Sequence, residues 1–101
     1  MAGSILHTVN KSPFTHTTLK QCIDRYTTGD ALLLLEDGVY AALNSHTYVT
    51  ELASVTPCYA IEKDIIARGI QQEVLAEHIT LIDYEQWVAL AIEYPLSQSW
   101  Y

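Results

Sequence analysis

Basic side chains are scarce in this sequence. Lys11, Lys20, Arg25, Lys63 and Arg68 are the only five in 101 residues, against twelve acidic ones, and the formal net charge is −7. The five do not cluster. Phosphate backbones are held by grouped Lys and Arg, so direct nucleic-acid binding is not expected. An anionic membrane surface would repel the chain for the same reason. Cysteine is also scarce. Cys22 and Cys58 are too few for a disulfide framework, and no C-x-x-C occurs, so neither a thioredoxin-type redox pair nor a zinc site is indicated. Nothing in their spacing argues that they pair. Reduced thiols in a cytoplasmic protein are the expectation. Long apolar runs are absent: Ala31–Leu35, like every other run, is far short of the roughly 20 residues that span a bilayer. No basic segment leads into an N-terminal hydrophobic one, so no secretory signal is expected, and Met1–Gly3 is featureless. Glycine-rich phosphate loops, a G-x-S-x-G elbow and paired-histidine metal spacings are all missing. A self-contained enzyme is not expected, and neither is a cofactor or metal.

Apolar bulk is what the chain does have. Apolar residues make up 50% of it and charged ones 17%. The length predicts a single domain over residues 1–101, burying about 65% of the surface its unfolded form exposes. So apolar a chain leaves some of that surface outside, and a contiguous exposed patch usually meets a protein partner.

The order of elements follows from punctuation and pattern. "ILHTV" (5–9) is β-prone. Ser12 followed by Pro13 predicts a helix over Pro13–Thr27, ended by Gly29. Ala31–Leu35 is apolar at every position, as in a strand buried on both faces. "GVYAAL" fits a short helix, and "SHTYVTELASV" a second, less clearly patterned one. "CYAI" and "ITLID" read as strands, and "EKDIIARG" as a turn or two of helix ended by Gly69. "QEVLAEHI" is ambiguous. Asp83 and Gln86 form a capping-box pair for a last helix whose apolar stripe is Tyr84, Trp87, Val88 and Ala91. The tail "PLSQSWY" is read either as a loose or docked end or as an interface element. Strands alternating with helices predict an α/β fold: a mostly parallel central sheet flanked by helices in three layers.

Few residues carry chemistry. Cys22 lies at the edge of the stripe formed by Leu19, Ile23 and Tyr26, beside Thr18 and Arg25. That border position leaves two readings open, a partly exposed reactive thiol or a small core filler. An unperturbed thiol is only about 3% thiolate at pH 7, and Arg25 one turn away would raise that fraction. Cys58, in a strand, reads as a buried small hydrophobe. His7 lies toward the C-terminal end of the first strand, where α/β folds place ligands, and is either a ligand-facing group or a hydrogen-bonded strand histidine. Glu36 and Asp37 are either an acid–base or metal pair, or residues favoured by the start of the next helix.

Taken in order, "SILHTVNKSPF", "LLLLEDGVYAAL", "DIIARG", "IDYEQWVAL" and "SQSW" resemble the DsrH/TusB family of sulfur-relay proteins. The resemblance runs from about Ser4 to the last residue. It implies a DsrE/F/H-type fold and a cytoplasmic heterohexamer with homologous DsrE/TusD-like and DsrF/TusC-like subunits. It implies passage of persulfide sulfur from a TusA-like donor to a DsrC/TusE-like acceptor. In the DsrE–DsrF–DsrH branch the sulfur serves intracellular sulfur oxidation. In the TusB–TusC–TusD branch it ends as 2-thiouridine at the tRNA wobble position. The principal sulfur-carrying cysteine in either branch belongs to the DsrE/TusD-type subunit. The DsrH branch resembles this chain in a first-helix cysteine, which matches Cys22. That position makes Cys22 the candidate persulfide site and, together with the opening "SILHTVNKSPF", favours the DsrH branch, with a TusB-like or purely structural subunit as the alternative. Cys58 matches no motif cysteine of the family.

Overall fold

The computed structural model describes residues 4–101, and the reading of Met1–Gly3 lies outside them. Five strands form one sheet: β1 (Ile5–Val9), β2 (Ala31–Leu34), β3 (Cys58–Ile61), β4 (Ile79–Ile82) and β5 (Leu96–Trp100). Their order is β4-β3-β2-β1-β5, and every neighbouring pair is parallel. The expected α/β architecture is therefore present. All four side chains of β2 are buried, because helices cover the sheet on both faces at its middle strand.

Side chains alternate between two cores. Val9, Leu32, Leu34, Cys58 and Ala60 point to one face, under α1 (Thr18–Arg25), a 3-10 segment over Glu36–Ala42, α2 (Val49–Leu52) and α3 (Glu62–Ala67). Leu6, Ala31, Leu33, Ile61 and Ile82 point to the other face, where α4 (Tyr84–Glu93) supplies Leu90, with Trp87 and Tyr94 packed alongside. The capping box on α4 is complete: the Gln86 amide donates to Asp83 Oδ1 at 2.8 Å, and the Asp83 amide to Gln86 Oε1 at 2.9 Å.

Three expectations change. First, the helix expected over Pro13–Thr27 begins at Thr18. Ser12 closes a separate turn instead, its hydroxyl accepting from the Phe14 amide and its carbonyl from those of Thr15 and His16. Second, the tail is a paired strand. Its exposed, polar composition hid it, because β5 is an edge strand whose only ladder is with β1. Third, the stripe expected to bury α4 is rotated. Leu90 is buried, whereas Tyr84 and Val88 are exposed. With Trp87 and Ala91 they line a groove of about 490 Å³ against Leu6, Thr8, Ser97 and Ser99.

The loop after β2 is held under tension. Glu36 has φ +50°, in the left-handed region that a residue with a Cβ adopts at a cost. Its amide donates to Asp64 Oδ2 at 2.7 Å. Gly38 passes so close to β1 that a Cβ there would overlap the carbonyl oxygen of Val9.

Candidate functional site

Cys22 is 1% exposed, one turn into α1 and on its inner side with Thr18 and Leu19. The expected border position is thus fully covered. The buried residues of α1 are Thr18, Leu19 and Cys22, whereas Ile23 and Tyr26 of the expected stripe are only partly buried, so the buried face is rotated toward Cys22. Arg25 is not among the causes acting on the thiol. Burial pushes the Cys22 pKa up to about 12, with the negative charge of Asp30 adding to it. In this fold the group is a protonated thiol, and a nucleophilic thiolate requires it to be uncovered. Cys58 is equally buried and joins the same core cluster. Its pKa is also raised, first by burial and then by the nearness of Cys22. The fold thus brings together two thiols whose sequence spacing gave no hint of it. Both are free.

Beside them lies a buried polar chain. His7 sits at the middle of β1, not at its C-terminal end, and is 1% exposed. Its Nε2 is 2.8 Å from Asp30 Oδ2, and the Trp100 indole N–H donates to its Nδ1 at 3.0 Å. An indole can only donate, so Nδ1 is an acceptor and the imidazole proton is on Nε2, donated to Asp30. Both ring nitrogens are engaged. His7 therefore has no free lone pair with which to take a proton from a thiol, and it is the hydrogen-bonded strand histidine of the two readings.

Asp30, 2% exposed, anchors this chain. It also accepts from the amides of Ile5 (2.9 Å) and Thr27 (3.2 Å) and from the Thr27 hydroxyl (3.3 Å). Burial works to raise its pKa, but these hydrogen bonds, led by that of His7, prevail and hold the carboxyl below its ordinary value. The Tyr26 hydroxyl lies 2.9 Å from the carbonyl of Asp30 and 2.6 Å from that of Thr56, tying the end of α1 to the loop before β3.

Other candidates are structural. Asp37 pairs with the Arg68 guanidinium at 2.9 Å, so the 3-10 segment is tied to the end of α3. No group of three metal-ligating side chains occurs among the described residues, and none of their helices is long and apolar enough to cross a membrane. His46 donates from Nε2 to the Ala41 carbonyl and accepts the Tyr48 amide at Nδ1; burial lowers its pKa. What the sequence did not reveal is the Asp30–His7–Trp100 chain. Its members are too far apart in sequence for any spacing rule; the one available hint was an acidic residue placed directly before a fully apolar strand.

Comparison with known proteins agrees with this fold. The family model described as "DsrH like protein" matches residues 11–96. Protein TusB of Pectobacterium carotovorum is 37% identical over 97 residues, covering 95% of this chain and all of that protein. Protein TusB of Escherichia coli K12 is 36% identical over the same span and coverage. Among solved structures, the ychN protein of E. coli superposes with a TM-score of 0.79 at 16% identity, covering 95% of this chain and 97% of the other. Protein Tm0979 of Thermotoga maritima superposes with a TM-score of 0.66 at 26% identity, covering 87% and 92%. With a family model spanning most of the sequence and full-length relatives above a third identical, the chain belongs to the DsrH/TusB family of sulfur-relay proteins.

Proposed function

We propose that this chain is a TusB-like subunit of a TusB–TusC–TusD-type assembly, a cytoplasmic heterohexamer. The assembly relays persulfide sulfur from a TusA-like donor to a TusE-like acceptor, toward 2-thiouridine at the tRNA wobble position. The observation that carries this reading is the end-to-end similarity to proteins named TusB. It draws the branch assignment away from DsrH, which the opening "SILHTVNKSPF" and the first-helix cysteine favour. The burial of Cys22 and its raised pKa support a scaffold role for this subunit at rest, with the principal sulfur-carrying cysteine on the TusD-like partner. The acidic charge fits a subunit that does not itself touch tRNA.

A second reading, a DsrH-like subunit of a sulfur-oxidation relay, keeps one observation in its favour: a cysteine on α1 at position 22.

Co-expression with the cognate TusC- and TusD-like proteins tests the assembly. All three chains are expected to co-elute in equal amounts, and elution of this chain apart from them contradicts the proposal. Incubating the complex with a persulfide donor and mapping the cysteines by mass spectrometry then tests Cys22. Sulfur added at the TusD-like cysteine alone fits the scaffold role, and sulfur added at Cys22 fits a transfer role.

A further inference from the structure

We infer that the groove between α4 and the β1–β5 end of the sheet is the seat of a helix from a different chain, one whose apolar stripe is flanked by lysine or arginine. The inference deepens the function proposed above and rests on it for which proteins supply that helix.

The layers leave this side open. Five parallel strands at about 4.8 Å spacing make a face roughly 20 Å across, about two helix diameters. All-parallel sheets occur almost only with both faces covered. The face that holds Val9 and Leu32 meets this need, and α1 lies over β1 and β5 there. On the other face α4 is the one helix among the described residues. It joins β4 at one edge to β5 at the other, and its Leu90 packs on side chains from β1, β2, β3 and β4. No described residue of β5 belongs to that cluster. Ser97 and Ser99 of β5 are exposed on this side, next to Thr8 of β1, and with it they form the floor of the groove. Tyr84, Val88 and Ala91, all exposed, form its wall. A floor of small side chains beside an apolar wall, enclosing about 490 Å³, suits a second helix laid alongside α4. Packed helices stand about 8–10 Å apart, so that helix would complete the layer over β1 and β5.

Charge identifies the occupant. From Asp83 to Tyr101, the stretch that forms α4 and β5, the only charged residues are the acids Asp83, Glu85 and Glu93. Glu85 stands one turn before Val88, at the margin of the exposed apolar stripe. The bases carried on helices, Lys20 and Arg25 of α1 and Lys63 of α3, belong to the opposite face. A second copy set α4 against α4 would bring acids to acids, a like-charge contact that costs affinity. Lysine or arginine beside an apolar stripe complements the groove instead.

Val88 is 60% exposed, so Val88→Glu changes the groove without entering the core. Ile66 on α3 is 67% exposed and lies outside the groove, so Ile66→Glu is the control. Each variant is co-expressed with the cognate TusC- and TusD-like proteins. Val88→Glu is expected to lower the co-eluting fraction by about tenfold, with Ile66→Glu unchanged and both matching the wild type in circular dichroism. Co-elution of Val88→Glu at the wild-type level would overturn the inference. So would equal loss in both variants, which marks a general effect of added charge. Failure of the wild type itself to co-elute would count against the relay assembly, and the inference is then decided on the chain alone. A synthetic helical peptide with a leucine stripe and lysine flanks is titrated into it and followed by amide NMR shifts. Shifts at Val88 and Ala91 are expected, with binding about tenfold tighter than for the same peptide with glutamate flanks. Absent binding, equal binding of the two peptides, or shifts confined to the outer edge of β5 would overturn the inference. Self-association of the chain that Val88→Glu abolishes would overturn it too, because the occupant would then be a second copy.

Discussion

A single carboxylate, on Asp30, accepts from an imidazole, two backbone amides and a hydroxyl while almost wholly out of water. An amide offers one accepting oxygen where the carboxylate offers two, so Asp30→Asn strands some of those donors. The expected cost is about 2–3 kcal/mol in urea unfolding. The sign of the pH effect follows from the depressed pKa. The carboxylate's contribution is present above the ordinary value of 3.8 and is lost as pH falls through the lower folded value. Asp30→Asn should therefore flatten the acid limb of stability against pH. Cys22 acts at the other end of the scale. Between 9.0, where the unfolded thiol ionises, and about 12, where the folded one does, the folded chain binds the extra proton. Stability falls across that window by about 1.4 kcal/mol per pH unit for one such thiol. Cys22→Ala should make that alkaline slope shallower by about the same amount, measured by denaturant titration from pH 9 upward. Backbone constraint concentrates at the loop after β2. Gly38→Ala drives a methyl into the Val9 carbonyl and should cost about 3 kcal/mol, whereas Glu36→Gly relieves a positive φ and should be neutral or stabilising by up to about 1 kcal/mol.

At the scale of elements, strongly patterned segments were legible in the sequence. The unbroken apolar run of β2 was visible because a strand covered on both faces has no polar side. The start of α4 was visible because a capping box is local chemistry, and Asp83→Ala should cost about 1 kcal/mol in thermal or urea unfolding. Elements defined by their partners were not legible. "LSQSW" has the composition of a tail and becomes a strand only through its register with β1, where Trp100 lies opposite Val9. The turn at Ser12–Thr15 looked like a helix start because Ser followed by Pro serves both. On α4, apolar residues occur nearly all round, so periodicity could not say which side meets the sheet. Contacts with the sheet choose Leu90, leaving Tyr84 and Val88 along the groove. The candidate site divided in the same way. Cys22 was identifiable by type and position, but its coverage, its nearness to Cys58 and the Asp30–His7–Trp100 chain exist only once distant segments meet.

Considered whole, the molecule covers its sheet unevenly. One face carries three helices and the 3-10 segment, and the other carries α4. Part of the apolar excess noted in the composition emerges there, with Val88 60% and Ile92 80% exposed. An exposed apolar face of this kind suits a member of an assembly. The proposed role in tRNA thiolation is a property of that assembly, so it is tested most directly in a cell. An E. coli strain lacking its own TusB is supplied with this chain and its cognate TusC- and TusD-like partners, or with the partners alone, and 2-thiouridine in bulk tRNA is quantified by mass spectrometry. Restoration of 2-thiouridine only when this chain is present is the predicted result; thiolation absent in both strains, or equal in both, would contradict it.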